Sequence, residues 1–279
     1  MEQAASSADK MAHIARAVAC VGTEDFPQSL TVLCQSAFAF DSLFVSVFSK
    51  VRAPRQLYSN LYDDAVQRTV GPYLSYAYLL DPFYGLFKAG IGTSVVSLDD
   101  CAPDDFRTSD YYRMFYAETG LRDEVSIFVA AGHGRSIVLS LGQRCGRAGR
   151  GAAACDGLND LLPIIAALCL KHWPNPAPQL PALVETGPDF DSLGLPKLSQ
   201  REAEVVRLML KGHSSKSLAR VLEISPETVK VHRKRIYSKL GLASQGELFS
   251  LFLTTLSAPI VPSAPLVARQ LISTRALHS

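Results

Sequence analysis

The run "SLFVSVFSK", Ser42 to Lys50, sets Leu43, Val45 and Val47 against Phe44, Ser46 and Phe48, so an extended segment there projects apolar groups from both faces. Such a strand needs cover on both sides. Arg55 to Leu61 predicts a second strand and Ile91 to Leu98 a third, and "EVSIFVAAGHGRSIVLSLG" predicts two more around a glycine-containing turn. Helical periods surround them. One starts near Asp9, after about eight residues expected to be disordered. Others run from Pro27 to about Phe38, from about Asp63, over "TSDYYRMFYAETG" as far as Gly120, and from Cys155 to Trp173 despite Pro163. Strands in the middle with helices at both ends predict an α/β sensor-like domain of GAF or PAS shape over residues 1–173.

The pattern changes after Trp173. Six prolines between Trp173 and Lys197, with no strand or helix period, predict a semi-rigid linker over 174–197. Four short helices with explicit start signals follow over 198–256. Ser199 with Glu202 and Ser244 with Glu247 are capping boxes, Ser214 caps a second helix, and Ser225 with Pro226 opens a third. The second and third, joined at "EIS", form a helix-turn-helix. Residues 257–279 read as a flexible tail. The expected class is therefore α+β: a sensor-like α/β domain joined by a proline-rich linker to an all-α four-helix helix-turn-helix domain.

Charge sharpens this division. The 279-residue chain has a formal net charge of only +2. Residues 198–254 nevertheless hold ten Lys/Arg against five Glu, a net +5, which leaves 18 basic against 21 acidic residues, −3, elsewhere. One module faces a polyanion and the other does not. In the third helix Val229, Ile236 and Leu240 share the core face, while Glu227, Lys230, Val231, Lys234 and Ser238 point away. That outer face is almost wholly cationic and has the width of the major groove of duplex DNA.

"LSQREAEVVRLMLKGHSSKSLARVLEISPETVKVHRKRIYSKLGL", Leu198 to Leu242, resembles the DNA-binding domain of LuxR-type transcriptional regulators across nearly all of that module. The resemblance implies that Lys230, Val231 and Lys234 reach base edges. It further implies that Ser215, Lys216 and Thr228, with Ser225, Arg233, Arg235 and Lys239 around them, hold phosphates. The chemistry agrees: lysines donate to guanine O6 and N7, and valine touches a thymine methyl. Ser217 stands where the family usually has Glu. Family members pair through the fourth helix, and Leu248, Phe249, Leu251, Phe252 and Leu253 there make a homodimer the expected state, with simple core packing the alternative.

In the first domain, two windows, Tyr73 to Phe87 and Phe106 to Tyr116, hold 11 of the 24 aromatic residues. Tyrosine gives a pocket an apolar wall with a polar tip, so Phe44, Tyr73, Tyr76, Tyr84, Tyr112 and Phe115 are candidate effector-pocket residues beside Asp81, with a purely packing role as the alternative. "DPFY", Asp81 to Tyr84, resembles the Asp-Pro pair of autoinducer-binding domains, whose Asp accepts a hydrogen bond from the ligand amide. The pocket tryptophans of those domains are missing, since the only Trp is Trp173. That argues against an acyl-homoserine lactone and leaves two expectations, a different small molecule, for instance one with an amine or amide donor, or no ligand at all. The alternative is an effector-independent regulator whose first domain serves dimerisation or protein interaction.

Other chemistry recedes. The six cysteines have no metal-type spacing and fit a reducing cytoplasm, and "AGHGRS" has hairpin glycines in place of a nucleophile elbow. No acid pair of a phosphorylated receiver follows an early strand. The longest apolar run, Leu161 to Leu170, is half the length of a membrane span. The expectation is a cytoplasmic non-enzyme that binds double-stranded DNA, without cofactor, metal or membrane contact.

Overall fold

The computed structural model describes residues 2–61, 64–144, 155–174 and 198–257, with side chains left out at 2–7, 64–67 and 256–257. The expected linker beyond residue 174 and the tail beyond residue 257 lie outside the described residues.

Five antiparallel strands, β1 (Ser42–Ser49), β2 (Arg55–Ser59), β3 (Ser94–Ser97), β4 (Leu121–Ala130) and β5 (Arg135–Arg144), form one sheet in the order β2-β1-β5-β4-β3. The two-sided apolar pattern of β1 has its cause here, because β1 lies inside the sheet and both faces are covered. Leu43 and Val45, with Ile127, Val129, Ile137 and Leu139, pack under α1 (Glu2–Ala19), α2 (Phe26–Gln35) and α7 (Asp156–His172). Phe48, Phe128 and Val138 face the other way. There they meet α3 (Asp64–Ser75), the 3₁₀ turn Ala77–Leu80, α4 (Pro82–Ala89), α5 (Leu98–Cys101) and α6 (Asp110–Tyr112) with its flanking turns.

Three boundaries differ from expectation, each for a local reason. α1 begins at Glu2, about two turns before Asp9, because Glu, Gln, Ala and Lys are good helix formers. β3 is short because Ser97 and Asp100 make a capping box that starts α5. The helix expected before Gly120 is a 3₁₀ turn (Phe106–Thr108), then α6 capped by the Ser109 hydroxyl, then a π-helical turn (Arg113–Ala117). The wider π turn lets Tyr111, Phe115 and Tyr116 face one side together.

The C-terminal domain consists of α8 (Gln200–Leu210), α9 (Ser215–Val221), α10 (Pro226–Leu240) and α11 (Gln245–Ser257). Ser199, Ser214 and Ser225 cap α8, α9 and α10, and Gly241 ends α10 with φ +68°. Its core, built on Val205, Met209, Leu218, Val229 and Ile236, is continuous with the aromatic core of the first domain. The junction is tight. Asp105 donates its amide to the Gly212 carbonyl at 3.0 Å, and a Cβ on Gly212 would stand 2.7 Å from the Phe106 Cα. Gly212 also has φ +89°, so both conformation and close approach require glycine there.

Candidate nucleic-acid interface and effector cavity

The helix-turn-helix is built so that α10 keeps one face bare. Val229 and Ile236 are fully buried, and their spacing leaves Lys230, Val231, Lys234 and Arg235 on the open side. Val231 is 47% exposed, an apolar side chain left uncovered among cations. At the head of the helix the Ser225 hydroxyl accepts the Thr228 amide at 3.0 Å, and both residues are exposed.

The remaining residues expected at phosphates divide into three situations. Lys216 is exposed. Arg233 is half-buried: it donates to the Ser215 hydroxyl at 3.1 Å, joining the start of α9 to α10, and to the Tyr237 hydroxyl at 3.5 Å. Lys239 is exposed but tied to the buried Glu202, 2.7 Å away. That ion pair and the Ser199 amide hold the Glu202 carboxyl far below its ordinary value, at about 2. Ser217, in place of the usual Glu, is buried and bonds to His213 Nδ1 at 2.8 Å. In α11, Leu248, Phe249 and Phe252 are buried within the chain, while Leu251 and Leu253 are half-buried.

A cavity of about 90 Å³ lies on the other side of the first domain's sheet. Its floor consists of two cross-strand rows, Ser42–Gly142–Glu124 and Phe44–Ser140–Ser126, of which Ser126 alone does not reach the cavity wall. Gly142 keeps the first row open, since a Cβ there would come 2.5 Å from the Ser42 hydroxyl and 2.9 Å from Leu121. The walls are Leu61, Thr69, Val70, Tyr73, Asp81, Tyr111, Phe115, Tyr116 and Leu121.

Of the aromatic candidates, Phe44, Tyr73 and Phe115 line this cavity together with Asp81. Tyr84 is instead buried against Phe48 and Tyr78, Tyr112 stacks on the outer side of Tyr116, and Tyr76 is half-buried beside the core. Tyr111, Tyr116, Glu124 and Ser140 escaped the sequence reading. For Glu124 a signal existed: a charged residue on the same face of β4 as buried Ser126 and Phe128.

The cavity holds two carboxyls. Asp81 accepts the Tyr73 hydroxyl at 2.6 Å and, as the cap of α4, the Phe83 amide at 2.8 Å. Glu124 accepts the Tyr116 hydroxyl at 2.8 Å and the Ser126 hydroxyl at 3.1 Å. Burial, and then the charge of Glu124, push Asp81 up to about 7, and burial also raises Glu124. Two like charges in one poorly solvated enclosure repel, which is why such a pair retains a proton.

Residues 196–252 match the family model of the bacterial regulatory proteins, luxR family. A putative HTH-type transcriptional regulator in the exeN 3'region of Aeromonas salmonicida is 32% identical over 192 residues, covering 64% of this chain and 97% of that protein. The chain belongs to the LuxR family. As a LuxR-family protein it is a DNA-binding transcriptional regulator. Its C-terminal module is also 54% identical over 54 residues to the transcriptional regulatory protein TdiR of Thauera aromatica, 19% of this chain and 24% of that protein. The VqsR LBD domain of Pseudomonas aeruginosa superposes with a TM-score of 0.52 at 23% identity, covering 58% of this LuxR-family chain and 94% of that domain. That likeness shows the fold of the first domain. Among the described residues no helix is long and apolar enough to cross a membrane.

Proposed function

We propose that this regulator binds operator DNA as a homodimer and that a small molecule in the first domain controls the binding. The observation that carries the reading is continuity. Tyr111, Phe115 and Tyr116 line the cavity, and the segment that bears them begins with Asp104, Asp105 and Phe106, which hold Gly212 and Ser214 of the helix-turn-helix domain. A ligand that reorders the cavity wall therefore acts on the seat of the DNA-binding module. It shifts the population only as far as it prefers one arrangement over the other.

On the DNA side, Lys230, Val231 and Lys234 read bases, and Ser225, Thr228, Lys216 and Arg235 position the helix on phosphates. Arg233 and Ser215 act there as a joined pair. The half-buried Leu251 and Leu253 on α11 support the pairing of two copies, one for each half-site.

The test is selection of bound fragments from genomic DNA by the full chain, followed by titration of the selected duplex with and without members of a metabolite set that raise the melting temperature. A stabilising compound that changes operator affinity and leaves random-duplex affinity unaltered is the expected result. Selection of an operator with no responsive compound would favour a first domain that serves dimerisation alone.

A further inference from the structure

The effector reading leaves the chemical class of the ligand open, and the two buried carboxyls narrow it. Every donor to Asp81 and Glu124 among the described residues is neutral: tyrosine or serine hydroxyls and backbone amides. The described cavity wall contains no Lys, Arg or His. Around it stand Asp123, 3.4 Å from Arg107, and the hydroxyls of Tyr73, Tyr111 and Tyr116; burial and then the two carboxyls raise these three phenols well above their ordinary values. Lys211 of the helix-turn-helix domain feels the charge of Asp81 but does not line the cavity. A binding site for a neutral amide needs one acceptor; a second carboxyl in the same enclosure only adds repulsion. Resting on the effector reading, the arrangement has one evident complement.

We propose that the cavity takes a small cationic ligand, an amine or amidine, whose charged group lies between the Asp81 and Glu124 carboxylates. Ammonium and amidinium groups offer two or more N–H donors, enough to reach both carboxylates at once. Without ligand the buried pair keeps a proton; entry of the cation displaces it to solvent, so binding releases up to one proton near neutral pH. Tyr73 and Tyr116 hold the carboxylates in place through their hydroxyl donations to Asp81 and Glu124. Phe44 and Phe115, which line the cavity, enclose the rest of the ligand.

The test is isothermal titration of the full chain with two matched pairs of probes: benzamidine against benzamide, and tyramine against 4-(2-hydroxyethyl)phenol. The cation of each pair should bind roughly ten-fold or more tightly than its neutral partner, with proton release shown by buffers of different ionisation heat. In Glu124→Gln the ratio should fall to near one; Asp81→Asn makes the same test through the other carboxyl should the first variant fail to fold. Equal or tighter binding of the neutral partners overturns the charge assignment and leaves an effector cavity standing. No binding by either series overturns the cationic-ligand proposal, while the effector reading is decided separately by the metabolite titration on the selected operator.

Discussion

Ser214, the cap of α9, donates both its amide and its hydroxyl to the carboxylate of Asp104, 110 residues earlier in the chain. One hydroxyl thus serves two domains, for it also accepts the Ser217 amide at 3.1 Å. The slight burial of Asp104 raises its carboxyl, but the bonds from Ser214 outweigh that and hold it below its usual value. Asp104→Ala should therefore loosen the seat of the helix-turn-helix domain without unfolding either part. Amide hydrogen exchange at Ser214 and Ser217 is expected to quicken roughly five-fold, the equivalent of one exposed hydrogen-bond acceptor. Unchanged exchange would remove this contact from the coupling route.

Gly212 is the steric counterpart of that bond. Gly212→Ala introduces a left-handed alanine and a methyl group 2.7 Å from backbone, so it should cost about 2 kcal/mol or more in denaturant unfolding. Gly241→Ala, with φ +68° but nothing within 4 Å, should cost only about 1 kcal/mol.

On DNA the cations of α10 should separate by role. Lys230→Ala and Lys234→Ala are each expected to lose about 1–3 kcal/mol of discrimination at single base pairs. Lys216→Ala should weaken binding to every duplex alike and reduce the salt slope by about one. Fluorescence anisotropy on operator and random duplexes at several salt concentrations distinguishes the two patterns.

Acid should reveal the Glu202–Lys239 pair. The folded carboxyl titrates at about 2, below its ordinary 4.5, so its contribution is complete above 4.5 and lost as pH falls towards 2. Lys239 is 41% exposed, which limits the pair to about 1 kcal/mol. Lys239→Ala should raise the midpoint of acid unfolding, followed by circular dichroism.

The cavity pair predicts the opposite slope. With Asp81 at about 7 in place of 3.8, the folded state binds more protons than the unfolded one between those values, and stability should decline as pH rises across that window. At 1.36 kcal/mol per unit the decline is at most about 4 kcal/mol. Asp81→Asn keeps a capping oxygen for α4 and should flatten the decline in melting temperature measured from pH 4 to 8.

The amino-acid sequence by itself determined whatever depends on neighbours along the chain. Alternating apolar residues specified β1 and the β4–β5 hairpin, and the serine caps with a 3.6-residue period specified the helix-turn-helix and its cationic face, because caps and periodicity act over three or four residues. The same locality made Lys230 and Lys234 legible, since α10 needs only one buried stripe to orient them. Tertiary structure decided the rest. It brought Glu124 of β4 beside Asp81, sent Tyr84 and Tyr112 away from the cavity, turned one expected helix into a π turn, and joined Asp104 to Ser214. Those relations depend on which sheet face and which domain surface meet. That is settled by the packing of two cores into one, across separations where no local periodicity carries information.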